Sequence, residues 1–264
     1  MPVVECPSGL KVELRGLTVA EEDILLQMAT GKAKEQDLLF RRMLTQCVVS
    51  VADSGPYTLP EDGTIGDLDD LLTGDRFALI VHLRRLSYGD EIQVQGTCPN
   101  GHAWDAQVDL SKMEMYALPG ESRRKFLSGE NFIFTLPSTD RKVEFGLATG
   151  HTEGVAARRL LRGGEDVSSE SLRMRIKAIS GFNKETGIDE ETGMDMGSFI
   201  RSLPIADAHA LRDAMDEADC GMETEFESVC DVCDVTAWVS LERALNFFTR
   251  GKGRKRRGSR ASRS

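Results

Sequence analysis

Two short motifs about half a chain apart constrain the fold more than any other feature. They are Cys98-Pro99-Asn100-Gly101-His102 and Cys230-Asp231-Val232-Cys233, with 127 residues between them. Neither pair holds a metal alone. Together they offer three thiolates and one imidazole, the donor set of a closed tetrahedral zinc site. A fold that uses both must bring two distant turns to one point.

Each motif ends one strand-like run and begins another. Glu91–Cys98 and Ala103–Leu110 flank the first, and Thr224–Val229 and Val235–Leu241 flank the second. This is the pattern of zinc-ribbon-like hairpins, with Cys98, His102, Cys230 and Cys233 as the expected ligands of one structural Zn2+. A Cys-x-x-Cys pair also serves as a thioredoxin-like redox motif, but that use places the pair at the start of a helix. The residues after Cys233 are strand-like. Cys220 lies close enough in sequence to compete as a ligand, yet fits better as a buried residue at a helix end. The plainest alternative is that His102 is a turn residue and the cysteines are reduced bystanders. Four protein ligands leave no open position for water or substrate, so no catalysis is expected at this metal.

The two halves of the chain share an order of elements. Hairpins are predicted at 3–15, around Pro7-Ser8-Gly9, and at 132–147, around Pro137-Ser138. Thr18 followed by Glu21 signals a capped helix to about Met28. Leu38, Leu39, Met43, Leu44 and Cys47 form an apolar stripe at helical spacing. Residues 53–66 read as a loop, and a helix follows from about Gly74 to Ser87. In the second half, helices are predicted near 151–162, 169–180 and 204–218, with a loop insertion at 183–195. Lys11-Val12-Glu13-Leu14 matches Lys142-Val143-Glu144-Phe145, and Arg42-Met43 matches Arg173-Met174. Leu71, Asp75 and Leu79 match Leu203, Asp207 and Leu211. Gly89 and Gly221 each precede a motif cysteine by nine residues. The offset stays between 130 and 132, which points to tandem duplication. The fold class expected is α+β, with two related repeats at 1–118 and 119–249 clamped by one shared zinc, and a disordered basic tail at 250–264.

That tail changes the charge balance. It holds eight of the 33 Lys and Arg residues and no acid, so the rest of the chain carries 25 basic against 43 acidic residues, a net of −18. With Ala261 as its single apolar residue, the tail has no core to bury and cannot fold alone. Arg254, Lys255, Arg256 and Arg257 are its densest cluster. They suit an electrostatic contact with phosphates or with an acidic protein surface, and no aromatic residue is present for base stacking.

Nothing else in the chain forms a reaction centre. No phosphate loop, His-Glu-x-x-His pair or nucleophile elbow occurs. His82 sits among apolar residues, and His151 and His209 lack a telling neighbour. Asp67, Asp69, Asp70 and Asp75 read as a solvated helix face, and the stretch from Gly187 to Gly193 lacks calcium-loop spacing. No run is long and apolar enough for a membrane span, and the first residues do not read as a signal peptide. The chain is not expected to be an enzyme.

Several segments together resemble a known family. They are Pro7–Thr18, Ala52-Asp53-Ser54-Gly55-Pro56-Tyr57, Leu71–Leu79, Tyr88-Gly89-Asp90-Glu91 and the Cys98–His102 knuckle. The resemblance is to baseplate proteins of contractile-tailed, T-even-like bacteriophages, described as baseplate hub or hub-assembly (chaperone) proteins. It covers roughly residues 5–245. Family members usually carry Cys-Pro-x-Cys at the first knuckle, where this chain has Gly101 and then His102. The resemblance implies a structural or assembly role at the tail hub, with other baseplate or hub proteins as partners. The location it implies is the virion tail baseplate, or the host cytoplasm during assembly. A zinc-containing nucleic-acid-binding protein that uses the basic tail is the rival reading.

Overall fold

A computed structural model of the protein describes residues 1–28, 41, 43–152 and 167–241. Leu38, Leu39, Arg42, most of the helix expected at 151–162 and the whole basic tail lie outside the described residues. In chain order the strands are β1 (Val3–Glu5), β2 (Lys11–Leu14), β3 (Val48–Asp53), β4 (Glu91–Thr97), β5 (Ala103–Asp109), β6 (Met115–Tyr116), β7 (Phe132–Thr135), β8 (Lys142–Phe145), β9 (Ile176–Ile179), β10 (Gly221–Met222), β11 (Glu225–Val229) and β12 (Thr236–Ser240). The helices are α1 (Val19–Met28), α2 (Thr73–Tyr88), α3 (Gly120–Ser128), α4 (Val167–Arg175), α5 (Met196–Ser202) and α6 (Ile205–Ala218). The fold is α+β, with small antiparallel sheets.

The chain divides into two compact units. One combines Met1–Ser87 with Glu114–Glu223, and the other combines Tyr88–Met113 with the chain from Thr224 to Leu241. Each is therefore built from two separate stretches of sequence.

In the larger unit, two three-stranded antiparallel sheets have the orders β1-β2-β3 and β7-β8-β9. Alternation explains the central strands. Val12 and Leu14 of β2, like Val143 and Phe145 of β8, are buried, while the residues between them are not. The turn before each central strand contains one left-handed residue, Gly9 at φ +92° and Asp140 at φ +55°. Asp tolerates this conformation better than most side chains, so the second turn needs no glycine. Leu136, Val143, Phe145, Leu211 and Met215 lie at the heart of one hydrophobic core, where Phe145 stacks on Phe132 with ring centroids 5.2 Å apart.

Both turns are pinned to a helix in the same way. Asp75, the third residue of α2, accepts the Ser8 N–H at 2.9 Å and the Ser8 hydroxyl. Asp207, the third residue of α6, accepts the Ser138 N–H at 2.7 Å and the Thr139 hydroxyl at 2.9 Å. Both aspartates are fully buried. A carboxylate in the first turn of a helix also meets unpaired backbone N–H groups and the positive end of the helix dipole.

Other expectations meet the structure directly. The Thr18–Glu21 box forms: Glu21 Oε2 accepts the Thr18 N–H at 2.8 Å at the head of α1, and Arg15 grips the same carboxylate at 2.7 Å. The helix expected at 169–180 ends earlier, at Arg175. Ile176 and Ile179 instead pair with Phe145 and Val143 as strand β9, because two buried branched side chains complete the β8 sheet. The 183–195 stretch is not a plain loop. Asn183 and Asp189 each begin a Thr-Gly turn, and bridges Phe182↔Asp189 and Ile188↔Asp195 stack one turn on the next.

The smaller unit is two hairpins, β4–β5 and β11–β12, with β12 packed against β4 and β11 against β5. Ile92, Val94, Trp104, Ala106, Val108, Ala237 and Val239 fill the space between them. Gly96 lies opposite Trp104 in the ladder. A Cβ there would come within 2.8 Å of the indole and 2.7 Å of Val239 Cγ1, so only glycine lets the ring lie across the strand.

Candidate metal centre

The ends of the two hairpins meet. The first knuckle closes through the Cys98 N–H to the His102 carbonyl at 3.0 Å and the Gly101 N–H to the Cys98 carbonyl at 2.8 Å. Gly101 has φ +81°, a left-handed conformation that favours glycine over the cysteine of a Cys-x-x-Cys knuckle. The second knuckle closes through the Cys230 N–H to the Val235 carbonyl and the Asp234 N–H to the Cys230 carbonyl, both at 3.0 Å. These tight turns aim side chains four residues apart in the first knuckle and three apart in the second toward one point.

That point is shared. The donor atoms of Cys98, His102, Cys230 and Cys233 all lie within 4.8 Å of one another. Cys98 Sγ is 3.8 Å from Cys233 Sγ and 3.6 Å from His102 Nδ1. Cys98 and Cys230 are buried, while His102 and Cys233 are half-buried. All four residues named from the sequence are brought together, and the cluster could hold a metal ion.

The local electrostatics favour thiolate on the outer side. Asn100 Nδ2 donates to Cys233 Sγ at 3.5 Å. With the Val235 N–H and His102 it holds the Cys233 thiol down to about 6, so this sulfur is largely ionised at neutral pH. Burial pushes Cys230 the other way. A bound cation would favour the deprotonated form of every thiol in the set.

Asn100 is the functional residue that sequence spacing missed. Its signal was only its place inside the first knuckle. Trp104 is a second omission: its Nε1–H donates to Ser228 Oγ at 3.2 Å, bridging the two hairpins beneath the cluster. The remaining candidates lie elsewhere. Cys220 is buried in the core of the larger unit. His82 directs Nε2 at the Glu5 carbonyl at 3.3 Å, and His151 and His209 are exposed. Asp67 and Asp69 face Arg41, and Asp75 is the buried helix carboxylate described above. No helix among the described residues is long and apolar enough to cross a membrane.

Small antiparallel sheets and two paired knuckles that close on one Cys/His cluster define an α+β protein with a candidate metal centre. The chain belongs to the family described as T4 bacteriophage base plate protein, which matches residues 1–249. Membership implies a structural role in the phage tail, with protein partners there. No curated protein and no solved structure matches the chain.

Proposed function

We propose that the chain is a structural or assembly protein of the tail baseplate hub, of a phage or a phage-derived contractile injection system. One structural zinc held by Cys98, His102, Cys230 and Cys233 fixes its smaller unit. It acts by protein–protein contacts, on the finished baseplate or on hub subunits being assembled in the host cytoplasm, and not by catalysis.

The observation that carries the metal part is distance. Zinc–sulfur bonds of about 2.3 Å and a zinc–nitrogen bond of about 2.0–2.1 Å at tetrahedral angles separate two sulfurs by about 3.8 Å and sulfur from nitrogen by about 3.6 Å. Cys98 Sγ lies 3.8 Å from Cys233 Sγ and 3.6 Å from His102 Nδ1, and all four donors lie within 4.8 Å of one another. Family membership over residues 1–249 supports the baseplate part.

The tandem repeat belongs to the same proposal. Residues 1–118 and 119–249 descend from one ancestral unit of hairpin, helices and knuckled hairpin. The support is the pair of Ser-to-Asp pins at an offset of 130–132 residues and the matching three-stranded sheets. The zinc then joins equivalent turns of the two copies.

Copurification of the protein with tail-hub subunits from infected or induced cells tests the assembly role. Enrichment of hub subunits over other virion proteins is expected. A protein that associates with no tail component would sink it.

A further inference from the structure

Trp238 is 62% exposed, while the chain's other tryptophan, Trp104, is buried. It stands on β12 directly opposite Glu227 of β11. Opposite residues of an antiparallel pair share a face, so Glu227, Val229, Thr236 and Trp238 belong to the outer surface of this hairpin. Ala237 and Val239 point the other way, into the packing of the smaller unit. Val229, the diagonal neighbour of Trp238, is 55% exposed, and Val232 at the tip of the knuckle is 62% exposed. Tryptophan is among the residue types enriched at the energetic centres of protein interfaces.

Charge defines what this face accepts. Tyr88–Met113 and the chain from Thr224 to Leu241 hold eight acidic residues, four in each stretch, against one basic residue. That residue, Lys112, pairs with Asp109 at 3.3 Å. The described residues of the smaller unit therefore carry a net charge of −7, and all four acids of the second stretch are exposed. Such a surface repels a phosphate backbone and attracts a basic protein segment. We infer that the outer face of β11–β12 docks a segment of a partner protein in which arginine stands beside apolar side chains. The guanidinium lies flat on the Trp238 indole and directs its fork to Glu227, and an apolar neighbour covers Val229. Lysine, a compact and strongly hydrated point charge, is a poorer match for a stacked site. The chain's own residues 250–264 supply charge but only Ala261 to set against Val229, Val232 and Trp238. This inference rests on reading the chain as acting by protein–protein contacts.

The test uses the purified full-length protein and a synthetic peptide, so its failure leaves the baseplate role untouched. Both tryptophans are replaced by 5-fluorotryptophan, and Trp238→Phe assigns the two fluorine resonances. The probe is the peptide Arg-Leu-Arg-Leu-Arg with both ends blocked. The Trp238 resonance should shift and saturate while that of Trp104 stays in place. The half-saturating concentration should rise roughly fivefold or more between about 50 and 500 mM salt, as screening shortens. It should rise roughly threefold or more with lysine in place of arginine. Glu227→Gln, at an exposed position, should weaken binding similarly without changing thermal stability. No shift of the Trp238 resonance, as when the chain's own tail already covers it, equal shifts of both resonances, or a lysine peptide that binds as well would overturn the proposal.

Discussion

Ser138 donates its backbone N–H to the buried carboxylate of Asp207 at 2.7 Å, across 69 residues of sequence. Ser8 and Asp75 repeat that bond at 2.9 Å across 67 residues. In each half, one helix carboxylate fixes the entry turn of a three-stranded sheet.

Asp207→Ala should therefore destabilise the protein strongly. It removes the shared acceptor of the Ser138 and Thr139 N–H groups and the Thr139 hydroxyl, and because both donor residues are exposed and can turn to water, the loss is about 1–3 kcal/mol. Denaturant titration should show a lower midpoint with little change in slope. Asp207→Asn keeps one acceptor oxygen and should lose less. Equal losses for Ala and Asn would argue against the hydrogen-bond account.

Metal content should track the four-ligand cluster. Elemental analysis of the purified protein should find one zinc per chain. Cys98→Ser or Cys230→Ala should reduce it to background, and a chelator should lower the melting temperature of the wild type. Zinc unaltered by Cys230→Ala would remove that residue from the set.

His102→Ala separates the fourth ligand from the other three. Three sulfurs with water still bind a cation, so zinc should remain measurable but be lost to a competing chelator at concentrations roughly tenfold lower or more. No change in competition would mean that His102 does not coordinate.

Gly96→Ala should loosen the smaller unit while leaving every ligand in place. The new methyl meets Trp104 and Val239, and overpacking of this kind costs about 1–3 kcal/mol. Trp104 emission should shift to the red. Wild-type melting and emission in this variant would show that the indole has room to move.

Acid should weaken the α1 cap. The Arg15 hydrogen bond, helped by Thr18, holds Glu21 down to about 2 against an ordinary 4.5. A depressed carboxylate adds stability that is fully present above pH 4.5 and is lost as pH falls toward 2. Stability measured over that window should fall less steeply for Glu21→Gln than for the wild type.

The site was more legible than the fold around it. Cysteine and histidine spacing named all four clustered residues because few side chains share their chemistry and the turns are local. The α1 cap was readable for the same reason. Strand β9 was not: Ile176 and Ile179 also fit a helical stripe, and only pairing with β8, more than thirty residues earlier, decides the matter. Strand β3 and helix α3 were likewise hidden, since β3 depends on an open edge of β2. Asp75 looked like one of several solvated acids, because sequence does not record that Ser8 and Tyr57 close over it.

The smaller unit is discontinuous, and this sets an order of events during synthesis. The first knuckle emerges while its partner is still 127 residues away. At ordinary elongation rates it waits roughly 6–25 s for Cys230. If the cluster takes the proposed ion, its four-ligand grip would form only on chains extended past Cys233, and chains stopped earlier would keep an open first hairpin.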